Sequence, residues 1–158
     1  MANIFSGSEI VELGIQIEKN GRDFYNQLVK QTKNDKARGI FAFLVGEEEK
    51  HIEVFKNILK TVENYEPAES YPGEYFAYMN ALAGGYVFTQ KEKGLETARA
   101  IKSDKEAVEK GIGFEKDSII FYEGMKRAVP QNDIKVVELL IKQEEGHLLK
   151  LTELKNML

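Results

Sequence analysis

The sequence contains no cysteine, only three prolines and only two histidines among its 158 residues. Without cysteine, the chain can form no disulfide, no zinc ribbon and no thiolate-ligated iron or iron–sulfur centre of its own. Any metal that this chain binds must therefore be held by carboxylates and imidazoles.

Long apolar runs and blocks of like charge are also missing. No window approaches the 18 or more apolar residues of a membrane span, and the N-terminal MANIFSGSEI lacks the basic and apolar regions of a signal peptide. The formal charge of -4 comes from interspersed acidic and basic residues, so no basic stripe is present to attract phosphate backbones. We expect a single soluble, cytoplasmic domain over residues 1–158 that binds neither membranes nor nucleic acid.

Four long segments have the apolar periodicity and the end signals of helices, near residues 7–31, 35–62, 104–128 and 133–157. The prediction is an all-α chain of two helix pairs, 7–62 and 104–157, joined by a long connection over residues 63–103. A shorter helical run is predicted near residues 95–102. Five of the seven tyrosines fall in this connection, and we expect them to cover the outside of the bundle or to form a subunit contact.

The two helix pairs are copies of one pattern. Placing residues 6–25 over residues 103–122 gives ten identities in twenty positions, and with one residue deleted the match continues into the second helix of each pair. Both copies begin with a serine and a glutamate at the spacing of a capping box, Ser6 with Glu9 and Ser103 with Glu106. For two equivalent hairpins to face each other, the chain must return to the opposite end of the bundle, which explains the long connection.

Every long helix carries a glutamate on its apolar stripe. Residues three, four and seven apart share one face of an α-helix. Glu48 lies four residues after Leu44 and seven before Phe55, which turns it inward, whereas Glu49 is rotated away from that face. The same reasoning turns Glu144 inward and leaves its neighbour Glu145 to solvent.

The predicted core therefore holds four carboxylates and two imidazoles, from Glu18, Glu48, His51, Glu115, Glu144 and His147. Unpaired buried charges are very costly, and no lysine or arginine occupies a matching inward position. Two divalent cations would balance four carboxylates. One Glu from each of two helices, with Glu-x-x-His from each of the other two, is the ligand pattern of dimetal carboxylate bundles. These donors suit iron or manganese, and the lack of thiolates argues against a structural zinc cage.

Two tyrosines and three glycines share the inward faces with these acids. Tyr25 and Tyr122 fit either of two roles, as core packing or as phenols that hydrogen-bond the ligand carboxylates. Gly14, Gly21 and Gly111 each cost helix stability, roughly 1 kcal/mol relative to alanine. They provide either room beside the ligands or close packing of helices.

Through IEKNGRDFY with GEEEKH, and FEKDSIIFY with QEEGH, the chain resembles the rubrerythrin-like branch of the ferritin-like superfamily over essentially its whole length. The resemblance implies a four-helix bundle with a left-handed crossover between helices two and three, and a non-haem di-iron centre. Matched position by position, the six residues above would be the ligands, with Glu48 and Glu144 as the bridging carboxylates. The resemblance also implies a homodimer.

Two features depart from rubrerythrins proper. Those proteins carry a C-terminal rubredoxin module with a four-cysteine iron site, through which electrons enter. This sequence has no cysteine, so the chain is expected to take electrons from a separate donor, such as a rubredoxin-type protein. They also carry an extra glutamate three residues after the third-helix ligand, implicated in iron movement during peroxide reduction, where this sequence has Ser118.

The leading hypothesis is a di-iron oxidoreductase that reduces hydrogen peroxide or dioxygen. A second is an iron-binding or ferroxidase protein that does not turn over a reduced donor. The third is a structural or interaction bundle with a residual site, and the retention of all six ligand residues argues against it.

Overall fold

The computed structural model describes residue 4, residues 6–63 and residues 73–158, and these parts of the chain contain helices and turns but no strand. Within these described ranges, six α-helices follow one another: α1 Gly7–Gln31, α2 Asp35–Val62, α3 Glu74–Gly85, α4 Lys93–Arg99, α5 Asp104–Met125 and α6 Gln131–Met157. None of these helices is long and apolar enough to cross a membrane.

The four long helices are α1, α2, α5 and α6, and the predicted bounds of the first two are confirmed. The third ends as an α-helix at Met125, and a 3₁₀ turn, Lys126–Ala128, continues it to the predicted end. The fourth begins at Gln131 rather than at Asp133, because Pro130 takes the N-cap position. The N–H groups of the first helical turn need no partner within the helix, so the two extra residues fit there.

The predicted serine caps are confirmed in both copies of the repeat. Ser6 Oγ accepts from the Glu9 backbone N–H at 3.3 Å, and Ser103 Oγ accepts from the Glu106 N–H at 3.1 Å. In the second copy the Glu106 carboxylate accepts from the Lys102 N–H at 3.2 Å, one residue before the serine. Both caps fix where the helix bearing the first acid of each copy begins.

The two helix pairs close a single four-helix core. Helix α1 packs along α2 and α5 packs along α6, while α1 also faces α5 and α2 faces α6. Large apolar side chains from all four helices are buried at the centre, among them Phe24, Phe41, Phe121 and Leu151. Burying a side chain of this size contributes roughly 1.5–3 kcal/mol, so these residues hold the helices at fixed separations.

In the described part of the connection, residues 73–103, one α-helix was predicted and one was not. Helix α4 corresponds to the run expected near residues 95–102, shifted by a few residues. Helix α3 buries Tyr75, Met79 and Ala83, which recur every four positions. Apolar residues on its other faces, such as Tyr78, which is 49% exposed, hide this periodicity in the sequence.

Of the five tyrosines of the connection, two are buried, Tyr78 is largely exposed, and two lie outside the described residues. Tyr75 and Tyr86 are buried against the bundle, and the Tyr75 hydroxyl donates to the Gly124 carbonyl at 2.6 Å. The expectation that tyrosines cover the bundle is confirmed for these two. Tyr65 and Tyr71 lie outside the described residues.

Asn20 ties the connection to α1. Its amide nitrogen donates to the carbonyls of Phe88 and Gln90, each at 2.6 Å, and its Oδ1 accepts the Gly94 N–H at 3.0 Å. A Cβ at Gly94 would lie 1.9 Å from the Asn20 carbonyl oxygen, so α4 approaches α1 too closely for any other residue there. The turn of α1 that follows Glu18 is therefore held in place from outside the bundle.

We expect Gly94→Ala to lower the free energy of unfolding by about 1–3 kcal/mol, because the added methyl group must push α4 away from α1. The control is Gly39→Ala on α2, where an added Cβ meets nothing within 4 Å. That change should be neutral or raise the free energy of unfolding by up to about 1 kcal/mol, since alanine is the better helix former. Urea denaturation measures both variants, and equal effects would show that α4 does not press on α1.

Candidate metal centre

The structure brings all six predicted ligand residues together in the middle of the bundle. They come from four helices: Glu18 from α1, Glu48 and His51 from α2, Glu115 from α5, and Glu144 and His147 from α6. None is more than 4% exposed. Their neighbours Glu49 and Glu145 are exposed, so the predicted helix faces are confirmed.

The six residues form two overlapping sets of four, and within each set the potential ligand atoms all lie within 4.8 Å of one another. The first set is Glu18, Glu48, His51 and Glu144, and the second is Glu48, Glu115, Glu144 and His147. Glu48 and Glu144 belong to both sets. This sharing is the arrangement that two bridging carboxylates require.

Each of the six residues also has one buried atom with no hydrogen-bond partner outside this group of six residues. These atoms are Glu18 Oε2, Glu48 Oε1, His51 Nδ1, Glu115 Oε2, Glu144 Oε1 and His147 Nδ1, and no other buried side-chain nitrogen or oxygen in the described part of the chain lacks a partner. An unsatisfied buried polar group costs about 1–3 kcal/mol, so six in one place call for a shared ligand. Four carboxylates and two imidazoles fit a pair of divalent cations such as Fe(II) or Mn(II).

Both imidazoles turn the same nitrogen toward the carboxylates. His51 Nδ1 lies 2.7 Å from Glu144 Oε1 and 3.4 Å from Glu18 Oε1. His147 Nδ1 lies 3.5 to 3.8 Å from oxygens of three of the four carboxylates. The two rings stack with centroids 5.6 Å apart. Each histidine can therefore offer the lone pair of Nδ1 to one of two neighbouring metal positions.

Two buried tyrosines hydrogen-bond the carboxylates across the repeat. The Tyr25 hydroxyl donates to Glu115 Oε1, and the Tyr122 hydroxyl donates to Glu18 Oε1, both at 2.7 Å. In each glutamate, the other oxygen is the buried atom without a partner. The structure contains both of the roles left open for these tyrosines, since their rings are buried in the apolar core and their hydroxyls hydrogen-bond the carboxylates.

The inward glycines serve different purposes. A Cβ at Gly21 would lie 2.8 Å from Glu48 Oε2, and one at Gly111 would lie 3.3 Å from the Tyr25 hydroxyl. These two glycines make room for a predicted ligand and for a phenol that supports another. Gly14 instead faces the side chain of Met125, at 2.8 Å from a built Cβ, and permits close packing of helices.

Burial and mutual repulsion shift the carboxyl pKa values in different directions. Burial, reinforced by the charges of Glu18 and Glu144, raises the pKa of Glu48 well above its usual range. Burial and the charge of Glu144 raise the pKa of Glu115 to about 8. Burial also acts to raise the pKa of Glu18, but the charge of His51 and hydrogen bonds outweigh it, and that pKa is lowered.

The histidines are shifted toward their charged forms. Burial acts to lower the pKa of both, but the neighbouring carboxylates raise the pKa of His51 to about 11 and that of His147 to about 10. At neutral pH the metal-free protein thus carries protons on both imidazoles and, for the most part, on Glu115, and the pKa of Glu48 is shifted in the same direction. Metal ligands must be deprotonated, so metal binding should release protons from these groups.

Residues beside the site that the sequence did not reveal include Gln143 and Tyr86. Gln143 Oε1 lies 2.7 Å from His51 Nε2. The Tyr86 hydroxyl donates to the Phe114 carbonyl at 3.0 Å and lies 2.8 Å from Ser118 Oγ. Both contacts join different elements of the fold, so no spacing within one helix could have predicted them.

Comparison with known proteins agrees with this geometry. A family model described as Rubrerythrin matches residues 9–155. A crystal structure from Thermotoga maritima, of a protein described as a candidate ferritin-like diiron-carboxylate protein, aligns with a TM-score of 0.73 at 29% sequence identity, over 99% of this chain and 98% of that one. No curated protein sequence matches the chain significantly. The expected all-α, ferritin-like four-helix fold is confirmed.

We expect Glu48→Gln to reduce cobalt binding from two ions per chain to one at most, because it replaces a carboxylate oxygen of a residue that belongs to both ligand sets and removes its charge. Glu144→Gln should do the same. The matched controls are Glu49→Gln and Glu145→Gln, each one residue along the same helix and exposed, which should still bind two ions. Titration of metal-free protein with Co(II), followed by visible absorbance, counts the ions. Equal losses from a variant and its control would contradict the ligand assignment.

The metal-free protein should lose stability as pH rises from 5 to 9. The pKa values of Glu48 and Glu115 are raised in the folded state, so their contribution is complete below about 4.5 and is lost as pH rises through the folded pKa, about 8 for Glu115. The histidine contributions are complete below 6.5 and are lost toward pH 10 and 11.

Thermal unfolding in the presence of a chelator measures this dependence, and the expected loss is on the order of a few kcal/mol. Metal-loaded protein should show the opposite trend, since protons compete with the metal at acid pH. A metal-free unfolding temperature that climbs steadily from pH 5 to 9 would contradict the protonation pattern.

Proposed function

The chain belongs to the rubrerythrin family, and on this basis we propose that it is a non-haem di-iron oxidoreductase that reduces hydrogen peroxide or dioxygen. The observation that carries the proposal is the coincidence of two overlapping Glu/His sets with the six buried atoms that lack partners. Manganese accepts the same donors, but the description of the Thermotoga maritima protein as a diiron-carboxylate protein favours iron. The electrons come from a separate donor of the rubredoxin type, and the protein acts as a homodimer.

Two adjacent iron ions, when bound, supply together the two electrons that reduction of one peroxide needs, in H2O2 + 2e⁻ + 2H⁺ → 2H2O. The chain's own residues position and protect that chemistry. Glu48 and Glu144 hold the two positions together because each belongs to both ligand sets. Buried apolar side chains on all four helices exclude bulk water from the centre.

The tyrosines keep the terminal carboxylates in one orientation. Burial and the nearby glutamates raise the pKa of both Tyr25 and Tyr122 well above the usual value. Each hydroxyl therefore keeps its proton at any working pH and goes on donating to Glu115 or Glu18. One oxygen of each carboxylate is fixed in this way, and the other is left for a metal ion.

A second candidate function is binding and oxidation of iron without repeated reduction by a donor. It is favoured by Ser118, which lies one helical turn after Glu115, where rubrerythrins proper carry a further glutamate. The Ser118 side chain is hydrogen-bonded to Tyr86. Among the described residues, the buried acids are only the four proposed ligands. The site therefore offers no spare carboxylate to which an iron ion could move during peroxide reduction.

Anaerobic loading of metal-free protein with Fe(II) separates the candidates. We expect two iron ions per chain, faster oxidation by stoichiometric peroxide than by air, and many turnovers when a reduced rubredoxin is supplied. The matched controls are Glu144→Gln, which should bind one iron ion at most and lose rapid oxidation, and Glu145→Gln, which should retain both.

A single round of oxidation, with no re-reduction by the donor, would replace the leading proposal with the second candidate. Failure to bind two ions per chain would overturn both. Iron content is measured chemically and oxidation by absorbance, so binding and turnover are read independently.

A further inference from the structure

The outer nitrogen of His51 has a partner to which the site described so far gives no role. Gln143, on α6 beside Glu144, places its side-chain oxygen 2.7 Å from His51 Nε2. An amide oxygen can only accept a hydrogen bond, so Nε2 carries the hydrogen. The other ring nitrogen, Nδ1, faces Glu144 and Glu18. One ring nitrogen of His51 thus bonds to Gln143, and the other faces the carboxylates and would bind metal.

The second histidine has no equivalent support. In the internal repeat, position 143 corresponds to position 47, where Glu47 pairs with Lys50 of its own helix at 3.3 Å. No hydrogen-bond partner for His147 Nε2 is found in the described ranges. The His147 ring instead meets Phe43 edge to face, with centroids 6.2 Å apart. The two histidines therefore match as predicted ligands but differ in the residues that contact their rings.

We propose that Gln143 is a positioning residue that holds His51 with Nε2 protonated and Nδ1 turned toward the metal. The metal position beside His51 is consequently the tighter of the two. This inference rests on the proposed function, since it takes the site to bind metal. It goes further because it predicts unequal metal affinities at the two positions and assigns the difference to one residue outside the ligand set.

Gln143 can act in this way because a hydrogen bond restricts both the tautomer and the orientation of an imidazole ring. An imidazole can carry its lone pair on either nitrogen and can rotate about its side-chain bonds, and a hydrogen bond to one nitrogen removes both freedoms. A metal ion at Nδ1 displaces only the hydrogen on that nitrogen, so the bond from Nε2 to Gln143 persists in the loaded protein. Partners of this kind typically change metal affinity by about 10–100-fold when they are removed.

The location of Gln143 makes the inference testable without damage to the core. Gln143 is exposed, whereas His51 is 1% exposed. Gln143→Leu removes the acceptor at similar size, and Gln143→Glu keeps an acceptor oxygen. Glu47→Gln changes the corresponding position of the other repeat and is the matched control.

The experiment is a titration of metal-free, ¹⁵N-labelled protein with zinc, a metal without redox chemistry, followed by NMR of the imidazole nitrogens. The chain has only two histidines, so each metal position reports through its own ring. In the wild type we expect His51 to saturate at lower free zinc than His147. In Gln143→Leu, half-saturation of His51 should move to about 10–100-fold higher free zinc, while that of His147 stays unchanged.

The two remaining variants separate positioning from a general structural effect. Gln143→Glu should restore the wild-type order, and Glu47→Gln should leave both histidines as in the wild type. Unchanged saturation of His51 in Gln143→Leu, or equal weakening at both histidines, would overturn the role of Gln143 alone. A wild-type protein that binds no zinc at either histidine would overturn the proposed metal centre as well.

Discussion

Four carboxylates buried on facing helices are the constraint on which the rest of the structure depends. No lysine or arginine is buried among the described residues, so the acids cannot be neutralised by basic side chains in the core. They can be neutralised by protons, as the raised pKa values of Glu48 and Glu115 indicate, or by divalent cations, whose four positive charges match the four carboxylates. Protons and metal ions therefore compete for the same atoms. A bundle with an apolar centre would be simpler to stabilise, so the acids are explained by the ions that they can hold.

The duplicated hairpin supplies this site only when both copies are present. Each copy contributes one carboxylate and one Glu-x-x-His pair, but each tyrosine donates to the carboxylate of the other copy. Neither hairpin alone could satisfy its own acid, because the phenol that fixes it belongs to the partner hairpin. The long connection also contributes to the position of α1, because Asn20, two residues after Glu18, is hydrogen-bonded to it. The connection is thus hydrogen-bonded to both hairpins, through Asn20 of the first and through the Gly124 carbonyl of the second.

Helix bounds and inward faces could be predicted because both depend on residues close in sequence. Serine caps marked where α1 and α5 begin. Apolar residues at spacings of four and seven turned Glu48 rather than Glu49 inward, and the repeat showed the same choice for Glu144. Contacts between elements could not be predicted in this way. Gln143 meets His51 across 92 residues of sequence, and Asn20 meets Phe88 across 68. Helix α3 was missed for a different reason, since apolar residues around its whole circumference hide the face that packs on the bundle.

The two halves of the internal repeat match in their predicted ligand residues but differ in the residues around them. Position 21 of the first copy is a glycine that gives Glu48 room, whereas the corresponding position of the second copy is Ser118, bonded to Tyr86 of the connection. Position 143 supports a histidine, whereas position 47 forms an ion pair on its own helix. The two Glu/His sets are therefore alike in their donor atoms and unlike in the residues that surround them, so two ions held there would not lie in equivalent environments.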